Sequence, residues 1–301
     1  MIEQRKLLET VAFVSCVAFI STVVQADGMP RGRAMTYAAP TSWTGLYLGI
    51  NAGAAWSDAG LGFSGNDPIF QSAFAGTAFT GGTAFGRPGD LDRTGFTGGI
   101  QAGYNWQVAP TWVIGFEADI NSTDLDDRSS STGLITTGPP VATGTVRGSQ
   151  DINWFGTLRG RIGVLPAPNV MLYATGGLAY GHVREAASFS VDSPGGLNSG
   201  GFSIQCPVAN VACAVGSSSD TRVGWTLGGG AEFLVTRNVT FKAEYLYVNL
   251  GDDGVAAVAT SPTAGLTAAS FRTSFGDAEI HTVRLGLNYK FGGDCCAAPL
   301  K

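Results

Sequence analysis

Charged residues recur two positions apart inside otherwise apolar stretches of this sequence. Glu117 and Asp119 stand in the segment TWVIGFEADINST, and Arg159 and Arg161 stand in WFGTLRGRIGV. Alternation with a period of two is typical of a β-strand, because successive side chains point to opposite faces. The carboxylates therefore share one face of their strand, and the guanidinium groups share one face of theirs. Opposite charges on such faces can pair, so the spacing predicts ion pairs with a structural role.

Eight stretches of about ten or more residues show this alternation. Three connections between them are only two or three residues long, and four are long and rich in Gly, Ser, Thr and Ala. That composition is typical of mobile surface loops. The predicted strands are 43–56, 95–108, 111–122, 151–165, 169–184, 221–235, 238–250 and 277–291. The predicted long loops are about 57–94, 123–150, 185–220 and 251–276.

The composition and the N-terminus predict an exported membrane protein. Charged residues make up 14% of the chain, against roughly 25% in soluble domains. Arg5 and Lys6, an apolar run and the small residue Ala26 predict a secretory signal peptide over residues 1–26. No later apolar stretch is long enough for a transmembrane helix. The net charge of −5 gives no reason to expect nucleic acid as a partner.

The strands and their connections together predict an all-β fold. Short and long connections alternate as in an eight-stranded antiparallel up-and-down transmembrane β-barrel, with short periplasmic turns and four long extracellular loops. The barrel spans 43–291, after a flexible periplasmic lead-in at 27–42 and before a C-terminal tail at 292–301.

The charged residues of the strands are predicted to face the barrel interior, because a Lys or Arg facing lipid costs about 2–4 kcal/mol at the bilayer midplane. Since eight strands leave just enough room for side chains, we predict a plugged polar interior. The predicted interior charges are Glu117, Asp119, Arg159, Arg161, Glu232, Lys242, Glu244 and Arg284.

Aromatic residues gather near both ends of the predicted strands. This distribution predicts the two interfacial girdles of a transmembrane barrel. The predicted girdle residues are Trp43, Trp56, Trp106, Trp112, Tyr180, Tyr289 and Phe291.

Four of the cysteines lie outside the predicted strands and the signal peptide. Cys206 and Cys213 are close in the third long loop, and an oxidising compartment predicts a disulfide there, with two free thiols as the alternative. Cys295 and Cys296 are adjacent in the tail, where intermolecular pairing or free thiols are expected. No further ligands stand near them, so no metal site is predicted.

The predicted strands also resemble a known family. Segments such as WTGLYLGINAGAAW, GFTGGIQAGYNWQ, WFGTLRGRIGV, FKAEYLYVNLG and HTVRLGLNYKF are similar to the small outer-membrane β-barrels of alphaproteobacteria. These are described as porin-family or outer-membrane immunogenic proteins and share the fold of the OmpA transmembrane domain. The resemblance implies the outer membrane of a Gram-negative bacterium, a role in envelope integrity, surface exposure as an antigen and, in some relatives, haem binding or adhesion. Such proteins usually end at the last strand's aromatic residue, whereas Phe291 is followed here by GGDCCAAPLK.

Three functions are compatible with such a barrel. The first is a structural and surface-interaction role, with outer-membrane lipids, the assembly machinery and host or extracellular ligands of the loops as partners. The second is a porin-like diffusion channel, which usually needs more strands. The third is a lipid-modifying enzyme with a nucleophile and a base near the outer rim. Ser188 and Ser190 follow His182, but no orienting carboxylate is visible, so we predict no enzyme.

The chain contains two histidines, His182 and His281, both at the long-loop ends of strands. Their positions favour interfacial rim residues over haem ligands. We predict no cofactor and retain haem as the alternative that the family resemblance implies.

Overall fold

The computed structural model describes residues 42–59, 61–74, 91–135 and 142–291. The predicted signal peptide, the lead-in apart from Ser42, and the tail with Cys295 and Cys296 lie outside the described residues and stay predictions.

Fourteen strands and one short helix occur in the described part of the chain. The first half contains β1 (Gly45–Ala59), β2 (Leu61–Gly65), α1 (Pro68–Phe74), β3 (Leu91–Ala109), β4 (Trp112–Ile135), β5 (Ala142–Ala167) and β6 (Val170–Val191). The second half contains β7 (Gly195–Ser199), β8 (Phe202–Cys206), β9 (Ala212–Leu234), β10 (Val239–Asn249), β11 (Asp253–Ala259), β12 (Thr267–Ala268), β13 (Ser270–Phe275) and β14 (Glu279–Phe291). None of the described helices is long and apolar enough to cross a membrane.

Eight of the strands close into a barrel. Strands β1, β3, β4, β5, β6, β9, β10 and β14 pair in that order, and β14 pairs back onto β1. All of these pairings are antiparallel, and closure leaves no unpaired edge in the ring. The predicted eight-stranded antiparallel barrel is confirmed.

The two faces of the barrel strands differ in polarity. Outward side chains are apolar and exposed on the isolated chain, among them Ile50, Ile100, Leu158, Leu178 and Leu285. Many inward side chains at the same level are polar or charged and buried. This is the arrangement that lipid outside a closed barrel requires.

In their described parts, the four long connections form paired strands and one short helix, which contradicts the prediction of mobile loops. Strands β4 and β5 remain paired as far as Ile135 and Ala142, and β6 and β9 remain paired from the barrel to Ser190 and Ala212. The alternation of polar and apolar residues that predicts a strand is weak in these segments, because Gly, Ser and Thr fill them and few large apolar residues remain. The prediction failed because ladder hydrogen bonds and a shared core outweigh the low strand propensity of these residues.

We call the structure built from these connections the loop module: residues 61–74, 128–135, 142–150, 185–219 and 253–275. Here β11, β13 and β2 join the main sheet, while β7, β8 and β12 form a separate three-stranded sheet. Its apolar core draws on β2, α1, β5, β6, β8, β9, β11 and β13. The core residues are Leu61, Ile69, Phe70, Val146, Ala187, Phe189, Val191, Ile204, Cys206, Cys213, Ala214, Val255, Ala257, Ala259, Ala269, Phe271 and Phe275.

Candidate functional site

Five strands bring the predicted interior charges together. Strand β4 carries Glu117 and Asp119, β5 carries two arginines, β9 carries Glu232, β10 carries Lys242 and Glu244, and β14 carries Arg284. Three opposite-charge pairs stand directly across neighbouring strands. These register pairs are Glu117 with Arg159, Glu232 with Lys242, and Glu244 with Arg284.

Arg159 is the centre of this network. Its Nη2 donates to Glu117 Oε1 at 2.5 Å and to Asp119 Oδ2 at 2.8 Å, and its Nη1 donates to Glu244 Oε1 at 2.9 Å. Its Nε donates to Thr157 Oγ1 at 2.9 Å. One guanidinium group therefore holds three carboxylates from two strands on opposite sides of the barrel.

The other three cations complete the network. Arg284 donates to Glu244 Oε2 at 2.7 Å through Nε and to Asp119 Oδ2 at 2.9 Å through Nη2. Lys242 Nζ donates to Glu117 Oε1 at 2.8 Å. A further link joins Arg161 Nη2 to Glu232 Oε2 at 2.6 Å.

The network is neutral as a whole and sealed from solvent. It contains four carboxylates and four cations, and their side chains are at most 3% exposed. A buried charge is stable only when it is paired and hydrogen-bonded. The arrangement therefore supports the barrel and leaves no single group free for acid–base chemistry.

Neutral side chains that the sequence analysis did not single out extend the network. Tyr47 Oη donates to Glu117 Oε2 at 2.7 Å and accepts from Arg161 Nη1 at 2.9 Å. Tyr173 Oη donates to Glu244 Oε1 at 3.0 Å, and the Arg161 guanidinium lies 4.2 Å from the centre of the Tyr173 ring. Each shares the parity of a buried polar residue on its own strand, Asn51 on β1 and Thr175 on β6, and that parity was the available signal.

Two apolar layers close the charged interior above and below. At the short-turn end lies a buried cluster of Trp43, Val113, Leu165, Met171 and Tyr173. At the long-connection end lies a second one: Ala55, Leu125, Ile152, Phe155, Ala179, Val183, Leu246, Val248, Leu250, Ala278 and Ile280. Side chains thus fill the described interior along its length.

The prediction that Trp43 joins the lipid-facing girdle is wrong. Trp43 is only 1% exposed, and its Nε1 donates to the carbonyl of Pro168 at 3.1 Å. It precedes β1 with the same parity as the inward residues Tyr47 and Asn51, so it turns into the barrel and seals the short-turn end.

The other predicted girdle residues lie on the outward face. Trp106, Trp112, Tyr289 and Phe291 are exposed near the short-turn end. Near the opposite end, Trp56 stacks on His281, and Tyr180 packs edge-on against Trp154.

Both histidines also lie on the outward face, in surroundings that do not fit a haem ligand. His281 stacks on Trp56 with ring centres 5.6 Å apart, and its Nδ1 lies 2.7 Å from Tyr245 Oη. His182 Nε2 lies 3.3 Å from Arg184 Nε and 3.2 Å from Ser219 Oγ. The absence of a cofactor stays a prediction, with haem as its alternative.

Ser188 lies too far along the sheet for His182 to serve as its base. The two residues belong to β6 and are six positions apart, which corresponds to about 20 Å along an extended strand. Ser190 lies farther still and accepts a hydrogen bond from Arg147 at 3.3 Å.

A disulfide joins Cys206 and Cys213 in the loop module. Their Cα atoms are 5.1 Å apart, and the bond links the end of β8 to the start of β9. Both cysteines belong to the apolar core of the module.

A known protein family matches most of this chain. A family model described as outer membrane protein beta-barrel domain matches residues 32–291. The chain belongs to this family. A relative, the 31 kDa outer-membrane immunogenic protein of Brucella melitensis, is 35% identical over 289 residues, covering 94% of this chain and 100% of the relative. The 22 kDa outer membrane protein of Rhizobium leguminosarum is 28% identical over 202 residues, covering 67% of this chain and 69% of that protein.

Family membership confirms the predicted location in the outer membrane of a Gram-negative bacterium. Among solved structures, OprG of Pseudomonas aeruginosa is 13% identical, with 83% of this chain and 97% of OprG covered. Its TM-score of 0.36 is too low for the likeness to carry an argument.

Proposed function

We propose that this outer-membrane barrel is a closed structural support that strengthens the envelope and displays its loop module to partners at the cell surface. The observation that carries the proposal is the neutral ion-pair network, sealed between two apolar layers in the barrel interior. Such an interior suits a membrane anchor.

The regular, packed structure of the loop module supports a role in binding partners at the cell surface. Its strands continue the barrel ladder, and one apolar core joins elements from all four long connections. A preformed surface loses less conformational entropy on binding than a mobile loop does. The module therefore offers partners a fixed shape.

A porin-like channel is the competing function, and the packing weighs against it. Conduction needs a water path, but Arg159 and its three carboxylates lie at the centre of the barrel with side chains at most 3% exposed. Opening a path would separate buried ion pairs, which is strongly unfavourable.

The proposal separates into two testable halves, because the barrel and the loop module can be separated genetically. A strain that lacks the protein would receive either the full chain or a trimmed barrel in which short turns replace all four long connections. We expect both forms to restore exclusion of a hydrophobic dye, because the membrane-level barrel is intact in each. Only the full chain should restore attachment to extracellular matrix or host cells.

Heat-modifiable gel mobility would first show that the trimmed barrel is folded. If a folded trimmed barrel left dye uptake high, the structural half of the proposal would be wrong. Equal attachment by both strains would refute the surface half.

A further inference from the structure

A groove of about 820 Å³ lies on the outward face of the loop module. It crosses four strands, β4, β5, β6 and β9, and its lining forms two rows in register. One row contains Ser130, Arg147, Ser188 and Val215. The other contains Arg128, Ser149, Ala186 and Ser217.

The lining chemistry selects an anionic ligand rich in hydroxyl groups. Arg128 and Arg147 are exposed at diagonal positions on adjacent strands, which places their Cα atoms about 7–8 Å apart. Arg147 donates one hydrogen bond to Ser190, and a guanidinium group has five N–H donors in all. The lining also includes five serines, and no carboxylate occurs among its residues.

Two arginines at this spacing match a carboxylate or phosphate, since the guanidinium group binds either one through two parallel hydrogen bonds. Serine hydroxyls can donate to and accept from sugar hydroxyls. No aromatic ring lines the groove, so a neutral sugar would lack a stacking surface.

The position of the groove identifies the source of the ligand. Ala186 is six residues beyond the rim aromatic Tyr180 on β6. Six residues span about 20 Å along a strand, or about 15 Å along the membrane normal at a tilt of about 40°. The groove also opens sideways, on the same face of the strands that meets lipid lower down. It therefore faces the saccharide layer of neighbouring lipopolysaccharide.

We propose that this groove binds the anionic inner-core saccharide of lipopolysaccharide in the surrounding outer leaflet. Arg128 and Arg147 contact the carboxylate or phosphate groups. The serines of the two outward rows, Ser130, Ser149, Ser188 and Ser217, contact the sugar hydroxyls. This goes beyond the proposed function, since it names a lateral ligand of the loop module and does not depend on whether the barrel conducts.

The test compares two double variants that lose the same charge. R128Q/R147Q removes the groove arginines. R237Q/R272Q removes two exposed arginines elsewhere, one in the turn between β9 and β10 and one on β13. Each protein would be refolded in detergent, checked by gel mobility and titrated with rough lipopolysaccharide that retains the inner core. Lipid A released from the same material by mild acid, and heparin, would be titrated in parallel.

We expect the native chain to bind rough lipopolysaccharide about tenfold more tightly than lipid A, because the core supplies the groove contacts. R128Q/R147Q should lose about tenfold in affinity for rough lipopolysaccharide and should bind lipid A as before. R237Q/R272Q should match the native chain.

Equal affinity of the native chain for rough lipopolysaccharide and lipid A would overturn the proposal. So would equal losses in the two double variants. Arginine-dependent binding of heparin without binding of rough lipopolysaccharide would also overturn it, by assigning the groove to a soluble polyanion.

Discussion

The same strands reverse their polarity between the membrane and the loop module. At membrane level, β5 points Arg159 into the barrel and Leu158 outward. In the loop module, the same strand points Val146 inward, where it is fully buried, and Arg147 outward. Strand β6 changes in the same way, from Thr175 inside and Leu172 outside to Phe189 inside and Ser188 outside.

The difference shows that the surrounding solvent decides which side chains a closed sheet encloses. Lipid outside leaves polar groups inside, where they must satisfy one another. Water outside reverses the preference, and apolar burial again stabilises the interior. The apolar layer at the long-connection end, around Phe155 and Ile280, lies between the charged interior of the barrel and the loop module.

Breaking the charged interior should have the largest effect. Arg159→Met leaves three buried carboxylates short of a partner. We expect a loss of about 4 kcal/mol in the free energy of unfolding, measured by urea titration of the refolded protein in lipid vesicles. The control Arg272→Met removes a half-exposed arginine and should cost less than about 0.5 kcal/mol. Similar losses for both would mean that the network does not hold the barrel.

Breaking the apolar core of the module should cost somewhat less and remain local. Phe271 is fully buried and lies 4.9 Å from Phe70 between ring centres. Phe271→Ala should destabilise the module by about 3 kcal/mol and speed its cleavage by protease, while gel mobility shows an intact barrel. Val211→Ala, at an exposed module position, should leave the cleavage rate unchanged. An unfolded barrel in Phe271→Ala would show that the two regions are not separable.

One substitution placed in each region tests the reversal directly. Leu158 faces lipid near the middle of β5, and Val258 faces water on the module. We expect Leu158→Arg to lower the free energy of unfolding by about 2–3 kcal/mol because its charge meets hydrocarbon. Val258→Arg should change it by less than about 0.5 kcal/mol. Urea titration in vesicles measures both changes. Equal effects would contradict the conclusion that Leu158 faces lipid and Val258 faces water.

Removing the disulfide should have the smallest effect. The double variant C206S/C213S opens a short loop, and loop-closure entropy predicts a loss of about 2 kcal/mol in the module alone. Protease cleavage of the module should accelerate, and the urea midpoint of the barrel should stay constant. A lower barrel midpoint would indicate coupling across the apolar layer between the regions.

Most of the membrane-level barrel could be predicted from sequence because its signal is local. Residues such as Glu117 and Lys242 stand on strands whose parity is visible without knowing the partner strand. The alternation between charged and large apolar residues is strong there, since the two faces meet opposite surroundings.

The strands of the loop module could not be predicted from sequence, because they are stabilised by residues that lie far away in the chain. In β5 between Ala142 and Gln150, Val146 is the sole large apolar residue, so parity is hard to see. Val146 is buried in one apolar core with Phe271 and Leu61, which are far away in the chain. Trp43 was misplaced for a different reason: its position near the short-turn end suggested a girdle residue, although its parity pointed inward.

Single-channel recording tests the closed interior most directly. The refolded protein would be inserted into planar bilayers, with a known porin as a positive control for detection. The packing of Arg159, Arg284 and their carboxylates predicts a silent bilayer from folded, inserted protein. Steady and reproducible openings would contradict the account, because they would mean that the charged interior lines a path for water and ions.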